Sequence, residues 1–189
     1  MGERGVRRSI LLLVSSMSAG GRSVRLGPRI VRILRGGGWE VAVRLTTPGD
    51  DPAALAAQVA SDSIVAALGG DGYLGAVARG CHDSGALFVP FPGGRGNDLC
   101  RALGIGTDPL ARARDVASFG FVSGAAGDEA VAGRARRATD ALASRVRPLD
   151  GMWVRSRDGV RLALGVVSVG LDARANILAN ESSLTSGPL

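Results

Sequence analysis

Short apolar runs alternate with longer segments of helical spacing along most of this chain, and that alternation predicts its architecture. Ser9-Ile10-Leu11-Leu12-Leu13-Val14 is short and almost uniformly apolar, and it reads as a strand buried on both faces. Two arginines before it and serines after it imitate a signal peptide, but the serines interrupt the apolar run at once, which suits a strand better. Residues 24–35 carry Leu26, Ile30, Ile33 and Leu34 at helical intervals, and Gly36-Gly37-Gly38 ends the stripe. Residues 39–45 alternate and predict a second strand, and a turn at 48–51 leads into a helix over 52–61. Residues 63–68 predict a third buried strand. The Ala-rich helix after it is expected to end near Gly80, with His82 as its cap. Residues 86–90 form a fourth strand and 99–103 a short helix. Asp108 then caps a helix that has Pro109 at its first position and runs to about 118. Strands that alternate with helices in this way predict an α/β domain built on a parallel sheet.

The pattern changes beyond residue 120. Residues 121–145 begin with small residues and continue as a polar, helix-like stretch, which reads as an inserted linker and solvated helix. From 146 onward the periodicity is first that of strands: Val154-Arg155-Ser156 and residues 160–167 flank an Asp158-Gly159 turn and predict a hairpin, after which a short helix is expected over 173–179. The organisation expected is therefore a domain over 1–120, an insertion over 121–145, and the start of an antiparallel β domain over 146–189. A lone hairpin is marginal in water, so this last part is expected to be the least stable.

Two glycine-rich stretches punctuate the α/β part. Gly69-Gly70-Asp71-Gly72 follows the third strand, and Pro92-Gly93-Gly94-Arg95-Gly96-Asn97-Asp98 follows the fourth. A strand, a glycine turn and a helix bring backbone N–H groups to a phosphate, and glycine lets the backbone approach the ligand closely. An ordinary βα turn has the same outline, so the first stretch alone does not decide between them. Its repetition one unit later places both loops on one sheet edge, where open α/β sheets bind ligands. Asn97 or Asp98 is placed to cap the helix that follows.

Together the two stretches resemble the catalytic domain of the diacylglycerol kinase and sphingosine kinase superfamily, to which bacterial lipid kinases belong. The first stretch is shared with NAD kinases and phosphofructokinases; the second separates the lipid kinases from them. The resemblance runs over residues 9–118 and resumes near Pro148. Ser18 and Gly20-Gly21 fit the family's Asn-Pro-x-Ser-Gly loop, whereas Ser15, Ser16 and Ala19 depart from it. Ser168-Val169-Gly170-Leu171-Asp172-Ala173 resembles a segment whose aspartate faces the lipid hydroxyl.

The resemblance implies a phosphofructokinase-like, Rossmann-like sheet with helices on both faces, and transfer of a phosphoryl group from ATP to a diacylglycerol-like hydroxyl with Mg²⁺. Asp71 would organise the metal or its waters, and Asp172 would orient or deprotonate the acceptor hydroxyl. Ser18, Gly69, Gly70, Gly72, Tyr73, Gly94, Arg95, Gly96, Asn97 and Asp98 would line the nucleotide, with Asn97 hydrogen-bonding it and Asp98 ordering its loop. Tyr73 and Arg95 stand where the family carries small hydroxyl residues. Arg95 is then expected to serve as a cation on the phosphates. A non-catalytic nucleotide-binding protein is the alternative from another class, and an NAD kinase the alternative enzyme.

Composition sharpens this picture. The chain contains no lysine, so all 23 basic residues are arginine, and a P-loop with its phosphate-binding lysine is excluded. The net charge of +6 suits an anionic partner. No basic tract with interleaved aromatics is present, so a nucleic-acid partner is not expected. Cys81 and Cys100 lack metal spacing and read as buried thiols in a reducing compartment, and His82 is the only histidine. A cytoplasmic protein without a transmembrane segment, peripheral at the inner membrane surface and able to form a homodimer, is the expected setting.

Overall fold

A computed structural model describes residues 8–119, 146–157, 159–165, 173, 174 and 178. Strands β1 (Ser9–Ser15), β2 (Glu40–Thr46), β3 (Ile64–Gly69) and β4 (Leu87–Pro92) alternate with helices α1 (Arg22–Gly36), α2 (Pro52–Ala57), α3 (Asp71–Ser84), α4 (Asp98–Ala102) and α5 (Pro109–Ala117). The four strands form one parallel sheet in the order β2-β1-β3-β4. The expected α/β class holds, with helices on both faces.

The period-2 alternation of β1 builds both faces at once. Ile10, Leu12 and Val14 join Ile30 and Leu34 of α1, Phe91 of β4 and Val116 of α5 on one side. Leu13 joins Val65 and Ala67 of β3, Leu74 and Val77 of α3, and Cys100 of α4 on the other. The indole of Trp39 donates to the Val116 carbonyl at 3.0 Å, so a ring buried at the start of β2 also ties down α5.

Three local expectations are corrected. The helix over 52–61 stops at Ala57, because the chain must turn through polar Ser61-Asp62 to enter β3 at Ile64. The α3 helix runs past Gly80 to Ser84 and ends on Gly85, whose φ of 78° is left-handed. Gly80 is a packing contact, not a terminator: a Cβ there would run into the Ala53 carbonyl oxygen and the Ala56 methyl of α2. His82 is no side-chain cap; its carbonyl accepts from Gly85 N–H, and its ring pairs with Asp83 at 3.2 Å. Asp108 caps α5 as expected, accepting from Leu110 N–H at 2.9 Å.

Strands β5 (Met152–Ser156) and β6 (Gly159–Ala163) pair antiparallel as a hairpin. It meets the α/β unit through Leu164, which packs on the α3 side of the core, and through Trp153, edge-to-face with His82 at 5.5 Å. Trp153 is nevertheless 62% exposed and Val160 51%, so the hairpin buries little of its own apolar surface. The expected insertion over 121–145 and the Asp172 segment lie outside the described residues. Among the described residues no helix is long and apolar enough to cross a membrane.

Candidate functional site

The strand order reverses direction between β1 and β3, and the carboxyl ends beside that reversal are where a crevice opens in such sheets. Three loops leave the sheet there: 16–21 after β1, the single residue Gly70 after β3, and 93–97 after β4. They are laced together. Gly70 N–H donates to Ser18 Oγ at 3.1 Å, and Gly93 N–H donates to the Gly69 carbonyl at 2.8 Å. The backbones of the two glycine motifs touch: a Cβ on Gly94 would lie 2.6 Å from Gly70 Cα, and one on Gly93 would meet Ser23 Oγ and Gly69 N. The glycines therefore serve loop-to-loop contact first.

Asp71 is the first residue of α3, and its side chain crosses to the other motif. Oδ1 accepts from Leu99 N–H at 3.0 Å and so caps α4, a role expected of Asn97 or Asp98. Neither of those side chains caps the helix. Asn97 is buried with a left-handed φ of 58°, which asparagine tolerates better than most residues. Its Oδ1 accepts from Gly94 N–H at 2.9 Å and its Nδ2 donates to the Gly94 carbonyl at 3.1 Å. Ordering the loop, expected of Asp98, is thus the work of Asn97. Asp98 is exposed and pairs with Arg101 at 2.9 Å.

A Cβ on Gly96 would stand 3.2 Å from both Asp71 Oδ2 and Asp98 Oδ2, so the two carboxylates face one spot. The N–H groups of Asp71, Gly72 and Tyr73 open α3 and have no intrahelical partner. Amides attract a phosphate, whereas the Asp71 carboxylate repels it. Asp71 and Asp98 are the carboxylates that could hold a divalent cation there. No group of three or more potential ligands occurs among the described residues. Arg95 is exposed and has no hydrogen-bond or ion-pair partner among the described residues, which leaves its guanidinium available.

Tyr73 lies against Gly69, where a Cβ would be 2.5 Å from its ring. Its hydroxyl reaches Thr46 Oγ1 at 3.1 Å, and Thr46 Oγ1 is 3.2 Å from the Val14 carbonyl. The carbonyl can only accept, so Thr46 donates to it and Tyr73 donates to Thr46. One side chain thereby ties the start of α3 to the ends of β1 and β2. Burial raises the phenol above its ordinary value of 10.0, and the nearby Asp50 adds to the effect. The folded state thus keeps the proton longer, and the link contributes below about 10 and is lost as pH rises through the raised value. We expect Tyr73→Phe to cost about 1 kcal/mol and to remove this alkaline sensitivity; thermal melts against pH check both.

Thr46 escaped the sequence reading, and Ser16 entered it only as a departure from the family's loop. Ser16 Oγ is buried without a partner, an unusual state for a hydroxyl, while Ser16 N–H donates to the Thr46 carbonyl at 3.3 Å. The signal available was only position: both residues adjoin the carboxyl ends of neighbouring strands. Asp50 holds the next loop, its carboxyl drawn to about 2 by the Thr47 backbone N–H, the Thr47 hydroxyl and Arg44. Burial raises the Cys81 thiol to about 12. Cys100 rises to about 11 through burial and then the Asp71 charge, against Arg112. Both thiols stay protonated at neutral pH, which argues against thiolate chemistry. Asp172 lies outside the described residues.

The family model of the diacylglycerol kinase catalytic domain matches residues 9–123. Among solved structures, the chain is similar to a diacylglycerol kinase from Bacillus anthracis str. Sterne at 23% identity and TM-score 0.51, covering 59% of this chain and 40% of that one. A candidate diacylglycerol kinase from the same organism is 19% identical at TM-score 0.49, covering 61% and 43%. The chain thus spans about two fifths of the length of these structures. No curated protein matches it.

Proposed function

We propose that this chain, which belongs to the diacylglycerol kinase catalytic domain family, binds ATP with Mg²⁺ in the three-loop cleft and supports phosphoryl transfer to a lipid hydroxyl of the diacylglycerol kind. The observation that carries the reading is the double placement of Asp71. It stands at the amide-rich start of α3, and it also grips the second glycine loop through Leu99 N–H. A single carboxylate thus links both loops that would surround a triphosphate.

Phosphoryl transfer asks little covalent chemistry of the protein and much positioning. The acceptor hydroxyl oxygen bonds to the γ-phosphorus as the bond to the ADP oxygen breaks, and the hydroxyl proton passes to a carboxylate. Asp172 is the residue we assign to that proton, on the family resemblance. The start of α3, the Gly94-Arg95-Gly96 backbone and Ser18 would cradle the phosphates. Asp71 and Asp98 would hold the Mg²⁺, which when bound neutralises phosphate charge. Arg95 would supply the fixed positive charge that a lysine gives elsewhere.

Tyr73 favours a second reading, nucleotide binding without turnover, because its hydroxyl is committed to Thr46 and not to the cleft. Titration calorimetry with ATP–Mg²⁺, paired with a diacylglycerol phosphorylation assay, separates the two. Binding with turnover supports the kinase, and binding alone supports the second reading. Absence of binding defeats both. Arg95→Thr should weaken ATP roughly ten-fold if its guanidinium meets the phosphates, a loss typical of one charge-assisted hydrogen bond of about 1.5 kcal/mol. Unchanged affinity would remove Arg95 from the site.

A further inference from the structure

Strand β2 ends the sheet, and no strand pairs with its outer edge among the described residues. Backbone N–H and C=O groups point alternately to the two sides of a strand. Glu40 N–H donates to the Arg8 carbonyl, and the Thr46 carbonyl accepts from Ser16 N–H, so the even-numbered residues of β2 face β1. Val41, Val43 and Leu45 therefore turn their backbone groups outward. The Arg35 guanidinium donates to the Val41 carbonyl at 3.0 Å. Val43 and Leu45 have no such partner among the described residues. The side chains of the same two residues are 49% and 50% exposed. They floor an open groove of about 630 Å³, with Val24 and Val31 of α1 as its wall and Arg32 and Arg35 at its lip. Open backbone groups and open apolar side chains thus coincide on one short stretch of strand.

We propose that the β2 edge binds an extended, acidic segment of a partner protein, which adds to the sheet as a fifth strand. Strand addition answers both exposures at once. The partner's backbone bonds to Val43 and Leu45, and its alternate side chains enter the groove against Val24 and Val31. The charge of the partner follows from α1, which carries Arg22, Arg25, Arg29, Arg32 and Arg35 and no acidic residue. All five are exposed, and none forms an ion pair among the described residues. A bilayer would match that charge but not the edge, because hydrocarbon offers backbone groups no hydrogen bond. Nucleic acid would meet the arginines and leave the groove empty. A second copy is disfavoured by repulsion. Two β2 edges paired antiparallel about a two-fold axis would set both arginine rows on one face, side by side across the seam. None of the groove residues belongs to the nucleotide site, so occupancy of the edge is read without turnover.

The test is fluorescence anisotropy of a labelled synthetic peptide, alternating valine and threonine between paired glutamates, titrated with the full chain. The peptide should bind saturably, and its counterpart with lysine in place of glutamate should bind roughly ten-fold more weakly. Methylating alternate backbone amides of the peptide separates strand addition from charge attraction alone. One parity should abolish binding and the other spare it, since only alternate amides face β2. Arg32→Glu should weaken the acidic peptide by about five-fold, the upper range for one exposed ion pair, and strengthen the lysine peptide. The melting temperature and ATP–Mg²⁺ affinity should stay unchanged. Val43→Thr keeps the β-branched shape and should cost roughly four-fold, the worth of one buried methyl group. No saturable binding at millimolar peptide, equal binding of the two peptides, or equal loss from both methylated parities overturns the proposal. Displacement of the peptide by phosphatidylglycerol vesicles would assign the groove to a bilayer. Dimerisation of the chain that the peptide reverses would assign the edge to a second copy. Either result overturns the proposal as well, and neither touches the nucleotide reading.

Discussion

Asp71→Asn should leave the domain folded and lower Mg²⁺-dependent nucleotide affinity roughly 10- to 100-fold, the range found when a metal site loses one of its organising groups. The asparagine carbonyl can still accept from Leu99 N–H, so the cap on α4 survives while the negative charge goes. Asp71→Ala removes both. It should add about 1 kcal/mol of instability, the usual cost of a lost helix cap, to the same loss of affinity. The pair of variants therefore separates two functions of one side chain. Titration calorimetry with ATP, with and without Mg²⁺, reads the charge; denaturant unfolding reads the cap. Equal ATP–Mg²⁺ affinity in Asp71→Asn and the parent chain would falsify the assignment of Asp71 to the metal.

The sheet and its helices were legible because their signals are local. β1, β3 and β4 are short apolar runs, and α1 and α5 carry a buried stripe or a proline just after a capping aspartate. The end of α3 was misjudged because a glycine has two uses that the sequence writes identically. Gly85 supplies a left-handed backbone, whereas Gly80 lets α2 approach. The site was legible as loops but not as contacts. Both glycine motifs and the strand ends that bear them are where expected, yet Asp71 caps a helix 28 residues away and Asn97 folds onto its own loop. Caps are normally read from the residue adjoining the helix, and no local rule assigns one to a residue in the preceding βα unit. Thr46 was invisible for the same reason. Its hydroxyl acquires meaning only when the β1–β2 register brings its strand end beside Val14 and within reach of Tyr73.

Gly94→Ala should be the more damaging change, because it strikes fold and site together. Its Cβ would stand 2.6 Å from Gly70 Cα and 3.4 Å from Asn97 Oδ1. The first neighbour is backbone and cannot swing aside, so the two loops must part. Overpacking of this kind costs about 1 to 3 kcal/mol. Separation also strains the Gly93 N–H bond to Gly69, the Asn97 ring of bonds on Gly94, and the reach of Asp71 to Leu99 N–H. Nucleotide affinity should therefore fall with stability, unlike Asp71→Asn, where only affinity falls. Gly72→Ala is the control: a Cβ at that position meets nothing within 4 Å. It lies in the first glycine motif, two residues after the Gly70 that Gly94 touches, in the first turn of α3, where alanine is the better helix former by about 1 kcal/mol. Denaturant midpoints for the two variants decide the matter. If Gly94→Ala is as stable as Gly72→Ala, the two glycine loops are not locked together by contact, and their spacing must be set by the sheet alone.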